Sequence, residues 1–163
     1  MSKKGKLLIV DDNTNILSAV KMLTENYFEK VTTLDSPKSL ISTIQTESPD
    51  VILLDMNFHA GINTGNEGIF WLNEVNNKFP KIKVVLFTAY ADIDLAVRAM
   101  KDGAYDFIVK PWNNEKLIET LQNAYNEGRE KKKPSKSLKQ IDFMEISKVY
   151  HFLLYLLLFN NFF

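Results

Sequence analysis

Four short segments of the chain are apolar without interruption: Leu7–Val10, Val51–Leu54, Val84–Phe87 and Phe107–Val109. Runs of this length, with no polar alternation, predict strands buried on both faces. The strands then expected are Lys6–Val10, Lys30–Leu34, Val51–Leu54, Lys83–Phe87 and Asp106–Val109. Lys30–Leu34 is the most polar and suits a sheet edge. Between the strands, apolar residues recur at helical spacing. A first helix is expected from about Thr14, capped by Asn13 or Thr14, with Ile16, Leu17, Val20, Leu23 and Tyr27 on one face. Ser36-Pro37 opens a second, burying Leu40, Ile41 and Ile44. A third, from about Glu67 to Lys78, buries Ile69, Leu72 and Val75. A fourth starts near Asp92, buries Ala96, Val97 and Met100, and stops at Gly103. The fifth starts at Asn113 or Asn114, buries Leu117, Leu121 and Ala124, and ends near Gly128. The strict alternation predicts an α/β fold, (βα)5, with a doubly wound five-stranded parallel sheet, right-handed crossovers and helices on both faces.

The pattern changes after Gly128. Residues 1–128 form the expected domain, 129–137 a charged linker, and 138–163 an apolar C-terminal tail with no assigned role. Val149–Phe159 is shorter than the roughly 20 residues a membrane-spanning helix needs. It also lacks the polar face of an interfacial helix. The 163 residues carry no net formal charge, but unevenly: 13 Lys/Arg against 17 Asp/Glu in residues 1–128, and 7 against 3 in the remainder. An acidic globule is a poor candidate for direct nucleic-acid binding. The chain has no Cys, which excludes disulfides and Cys-based zinc sites. Only four apolar residues separate Lys6 from Asp11, too few for a secretory signal core, so the expected location is the cytoplasm.

Four of the strands release a polar group at the same end: Asp11-Asp12, Asp55, Thr88 and Lys110. In open α/β sheets, ligand chemistry gathers outside the carboxyl ends of the strands. Singly, each has an ordinary reading as a turn residue, a strand terminator or a surface charge. Together they are harder to dismiss. Three converging carboxylates repel one another unless a divalent cation neutralises them, and an all-oxygen donor set favours Mg2+. Lys110 supplies a point charge for a phosphoryl oxygen, and Thr88 a hydroxyl. The set suits phosphoryl transfer to a carboxylate nucleophile.

On the motifs Val10-Asp11-Asp12, Leu53-Leu54-Asp55-Met56, Thr88-Ala89 and Phe107-Ile108-Val109-Lys110-Pro111, the segment from about Lys6 to Gly128 resembles the receiver domain of bacterial two-component response regulators, of the NtrC-like group. The resemblance implies a flavodoxin-like strand order 2-1-3-4-5. It implies that Asp55 is the phosphoacceptor. Asp12 and Asp55 would hold Mg2+, with Asp11 acting directly or through water and the Asn57 carbonyl as a further ligand. Thr88 and Lys110 would meet the phosphoryl group, Thr88 and Phe107 would act as the switch pair, and the Lys110-Pro111 peptide would be cis. Asn57 and Tyr90 would tune the phosphoryl lifetime, Tyr90 by shielding and Asn57 by orienting a water.

The implied partner is a sensor histidine kinase. The implied output is a conformational change of the helix 4–strand 5–helix 5 face, which is also the candidate homodimer surface. The domain would be a signalling switch and not an enzyme, beyond self-phosphorylation from small donors and autodephosphorylation. Two departures stand out: His59 where the family usually has Pro, and an Asn57–Asn66 loop longer than the usual 2–6 residues. No Walker A motif or helix-turn-helix follows the domain. An alternative is therefore the receiver portion of a longer sigma-54-type transcription activator. A phosphohydrolase using an aspartyl-phosphate fits less well, because Asn57 stands where that chemistry needs a second Asp.

Overall fold

The computed structural model describes residues 3–58, 66–89 and 93–129. Five strands and five helices alternate among them. They are β1 (Lys6–Val10), α1 (Thr14–Thr24), β2 (Lys30–Leu34), α2 (Leu40–Glu47), β3 (Val51–Asp55), α3 (Asn66–Lys78), β4 (Lys83–Thr88), α4 (Ile93–Lys101), β5 (Asp106–Val109) and α5 (Asn114–Arg129). The sheet is wholly parallel, in the order β2-β1-β3-β4-β5, with β2 on an edge. The tail 138–163, most of the linker, His59 and Tyr90 lie outside the described residues.

Alternation along the strands splits the core in two. Leu8, Val10, Ile52, Leu54, Val84 and Leu86 face one side and pack with Leu40 and Ile44 of α2, Ile69, Leu72 and Val75 of α3, and Ala99 of α4. Leu7, Ile9, Val51, Leu53, Val85, Phe87 and Ile108 face the other and pack with Leu17 and Val20 of α1 and Leu117, Leu121 and Ala124 of α5. Both faces are covered, which is why the strands read as unbroken apolar runs.

Local chemistry sets the element ends. Asn13 caps α1, its Oδ1 accepting from the Asn15 and Ile16 amides at 3.0 and 3.3 Å. Ser36 caps a single 3-10 turn, Pro37–Ser39, that leads into α2. Helix α4 ends in a Schellman arrangement: Gly103 at φ 90°, its amide on the Met100 carbonyl and the Ala104 amide on the Ala99 carbonyl.

Three expectations are corrected. Tyr27 is not on the α1 face: the helix stops at Thr24, whose hydroxyl donates back to the Val20 carbonyl at 2.8 Å, and Tyr27 is exposed in the turn that carries Phe28 into the core. In α4 the fully buried residues are Ala96 and Ala99, while Val97 and Met100 are half-buried, because the small side chains let the helix approach the sheet closely. Strands β3 and β4 run one residue further than expected, so Asp55 and Thr88 are ladder members and not loop residues.

Candidate functional site

The carboxyl ends of β1, β3 and β5 bring Asp11, Asp55 and Lys110 together, and Thr88 ends β4, the strand between β3 and β5. Asp11 is the next residue after β1 and is fully buried; its backbone amide donates to the Leu34 carbonyl at 3.0 Å. Asp55 ends β3 opposite Phe87 of β4. Lys110 follows β5, and its amide donates to the Thr88 carbonyl at 2.6 Å. The Lys110-Pro111 peptide is cis. By strand alternation Asp11, Asp55 and Lys110 continue the face lined by Ile9, Leu53 and Ile108, so all three belong to the α1/α5 side.

The Lys110 ammonium bridges the two carboxylates. Its Nζ donates to Asp11 Oδ2 at 2.5 Å and to Asp55 Oδ1 at 2.7 Å. The Lys110 side chain is 12 % exposed, those of Asp11 and Asp55 1 % and 7 %. The remaining oxygens are held by local amides: Asn13 N–H donates to Asp11 Oδ1 at 2.9 Å, and Asn57 N–H to Asp55 Oδ2 at 3.0 Å. Burial pushes the Asp55 carboxyl above its ordinary range; the Lys110 ammonium opposes this, and the neighbouring Asp11 charge adds to it. The Lys110 ammonium also lies over the Phe87 ring, 4.7 Å from its centroid, and Trp112 meets that ring edge-on at 5.2 Å. In the sequence Phe87 reads only as strand interior, and no pattern singles out Trp112.

Asp11 and Asp55 are the two carboxylates bridged by Lys110, and Asp12, the residue after Asp11, is exposed. Among the described residues no three His, Cys, Asp or Glu side chains are grouped to hold a metal ion. Thr88 is fully buried at the end of β4. Phe107 is half-buried and packs on the α4 side of the sheet.

The loop that follows Asp55 is also pinned from α3. The Gly68 amide donates to the Met56 carbonyl at 3.0 Å. A Cβ on Gly68 would sit 2.5 Å from Met56 Cα and 3.1 Å from the Asp55 carbonyl oxygen. Alanine would gain about 1 kcal/mol in helix propensity. The obstructing atoms are backbone, so overpacking of about 1–3 kcal/mol prevails. Gly68→Ala is expected to lower the denaturation midpoint, measured by chemical unfolding; an unchanged or higher midpoint would mean the Asp55 loop yields at no cost.

The family pattern of the response regulator receiver domain matches residues 7–122. This chain belongs to that family. Curated relatives include the DNA-binding transcriptional regulator NtrC of Klebsiella pneumoniae, 26% identical over 132 residues that make up 81% of this chain and 27% of that one. Another is the nitrogen assimilation regulatory protein NtrX of Azorhizobium caulinodans, 30% identical over 118 residues, 72% of this chain and 25% of that one. The chain thus spans about a quarter of the length of these relatives. Among solved structures, the N-terminal signal receiver domain of a two-component response regulator from Bacteroides fragilis is 56% identical, with a TM-score of 0.68 over 76% of this chain and 98% of that one. Phosphorylation-based signalling is the general role of the family, and receiver domains generally bind Mg2+ at their acidic pocket. The donors here suit such a cation: hard carboxylate oxygens, two of the carboxylates buried, with only one ammonium between them. Among the described residues no helix is long and apolar enough to cross a membrane.

Proposed function

We propose that this chain is a cytoplasmic switch that accepts a phosphoryl group on Asp55 from a sensor histidine kinase. The observation that carries the reading is the Lys110 ammonium held between Asp11 and Asp55 in a largely buried site. An Asp55 carboxylate oxygen attacks phosphorus, a P–O bond to Asp55 forms, and the donor's bond to phosphorus breaks, returning its electron pair to the leaving imidazole or carboxylate. Lys110, already within hydrogen-bonding distance of Asp55, offers its protons to a phosphoryl oxygen as charge builds there. The Asn57 amide orients the carboxylate from the other side. Asp12, Asp55 and the Asn57 carbonyl, with Asp11 directly or through water, would hold Mg2+, which would supply charge neutralisation. Incubation with acetyl phosphate and Mg2+ is expected to raise the intact mass by one phosphoryl group, and EDTA to prevent it. No gain in mass with Mg2+ present would reject the reading.

The output is a remodelled α4-β5-α5 face. Thr88 ends β4, which borders β5, and Phe107 lies on β5 against the α4 side. Phe107 has no hydroxyl, so coupling between the two is steric: a hydroxyl drawn toward the phosphoryl group leaves space for an aromatic ring. Amide exchange in 93–103 is expected to change at least about fivefold on adding beryllium fluoride with Mg2+, the lower end of typical coupling between sites. A change confined to Asn57 and Phe58 would count against this output.

A second reading is that the chain is the receiver portion of a longer sigma-54-type activator. The coverage of about a quarter of the NtrC and NtrX relatives favours it. Both readings share the Asp55 chemistry and differ in what the switch controls.

A further inference from the structure

We infer that Phe87 is a positioning residue for Lys110, its ring forming the third wall that holds the ammonium in line with Asp55. The inference rests on the phosphoacceptor reading of Asp55. Two walls of the ammonium's site are carboxylates, Asp11 at 2.5 Å and Asp55 at 2.7 Å. The third is an aromatic face, 4.7 Å from Nζ to the ring centroid. A ring quadrupole attracts a cation over its face and offers it no hydrogen-bond acceptor. The ammonium is thereby held without spending a donor, so its N–H groups stay directed at the two carboxylates and, after transfer, at the phosphoryl group.

The ring itself has little freedom. Phe87 is 1 % exposed, and Trp112 packs edge-on against it at 5.2 Å, in the range where aromatic pairs attract. Trp112 is pinned in turn, its Nε1 donating to Asn114 Oδ1 at 3.0 Å. The Phe87 backbone is fixed too, its carbonyl accepting from the Met56 amide at 3.1 Å, directly beside Asp55. One residue therefore contacts the lysine through its ring and the phosphoacceptor strand through its backbone. The register supplies this placement: Asp55 opposes Phe87, and Phe87 opposes Ile108, two residues before Lys110. An aliphatic side chain of similar size would fill the core and leave the ammonium without its attractive wall.

The test compares Phe87→Leu, which keeps bulk without a π face, with Phe87→Tyr, which keeps the face. Phe28→Leu serves as the control, because Phe28 is 2 % exposed in the same α1/α5-side core, in the turn before β2. Two quantities are read: the rate of mass gain with acetyl phosphate and Mg2+, and the NMR resonance of the Lys110 Cε protons, assigned by its loss in Lys110→Met. In the wild type these protons should resonate upfield of an exposed lysine, shielded by the ring. Phe87→Leu should slow labelling about thirtyfold, the scale of a desolvated cation–π contact, and move the resonance downfield. Phe87→Tyr should restore both, and Phe28→Leu should change neither, although it too loses core packing. Equal slowing in Phe87→Leu and Phe28→Leu, or a Lys110 resonance that does not move in Phe87→Leu, would overturn the inference. A wild type that never gains mass would overturn the phosphoacceptor reading instead, and the resonance would then decide whether Phe87 holds Lys110.

Discussion

Asp55→Asn is expected to abolish phosphoryl incorporation and, in the absence of Mg2+, to make the protein more stable. The loss follows from chemistry: an amide oxygen is a poor nucleophile, and Asp11, already bonded to Lys110 and to the Asn13 amide, is not placed to replace it. The stability gain follows from electrostatics. Burial is the largest influence on the Asp55 carboxyl and outweighs the help from Lys110, so ionisation is harder in the folded chain than in the unfolded one. The sign with pH is then fixed. A carboxyl whose folded pKa lies above the unfolded value of 3.8 binds more protons in the native state across that window, so stability falls as pH rises through it. Above that window the wild type bears this cost and Asn does not. Asparagine gives up one acceptor, for the Asn57 amide, but that bond is the smallest of the influences on the group. A rise in Tm is expected at pH 7, and the gap between the proteins should narrow toward pH 4. Mass spectrometry after acetyl phosphate and calorimetry in EDTA check the two halves. Labelling of the mutant to the wild-type extent would show that the phosphoryl group goes elsewhere.

Lys110→Met is expected to be among the most destabilising substitutions in the protein. Methionine has nearly the volume of lysine, so packing is conserved while the charge is removed. Asp11 and Asp55 then remain buried beside each other with no cation between them. Removing one partner of a buried ion pair typically costs about 3–5 kcal/mol, well above the 0–1 kcal/mol of an exposed pair such as Lys21–Glu25. The loss should shrink at acid pH, where Asp55 takes up a proton, and on adding Mg2+. The double variant with Asp55→Asn should lose less than the sum of the two single effects, because the charge left stranded is then partly gone. Urea denaturation at pH 7 and pH 5, with and without Mg2+, measures all of these. A loss that is the same at both pH values would mean that Lys110 stabilises the fold by packing and not by pairing.

The strands were legible because both sheet faces are covered, so each appears as an uninterrupted apolar run. Their polar ends were legible for the same reason, since a single charge after four buried residues stands out. What was not legible depends on contacts between distant segments. Tyr27 has helical spacing from Leu23, yet the chain must leave the helix at Thr24 to bring Phe28 inside. Asp11 and Asp12 are neighbours, and neighbouring residues near a strand end tend to point to opposite sides. Asp11 shares the Lys110 ammonium with Asp55 while Asp12 is exposed, a difference that adjacent positions in the sequence do not reveal. The Phe87–Lys110 contact depends on the register of β4 against β5, which no pattern within either strand reveals.

The alternation that divides the core also divides the labour of the molecule. Asp11, Asp55, Lys110 and Phe87 continue the face that α1 and α5 cover, whereas Thr88 continues the face of Leu86, and Phe107 packs on that same α4 side. On the proposed function, the sheet is a wall with a reactive room on one side and a responding room on the other, and β4 is the doorway. Phe87 opens into the first and Thr88, one residue on, into the second. A receiver built this way can acquire new listeners by altering the α4 side while its reactive room stays untouched. A one-residue slip of β4 would exchange the two occupants of the doorway and silence the switch without changing its composition.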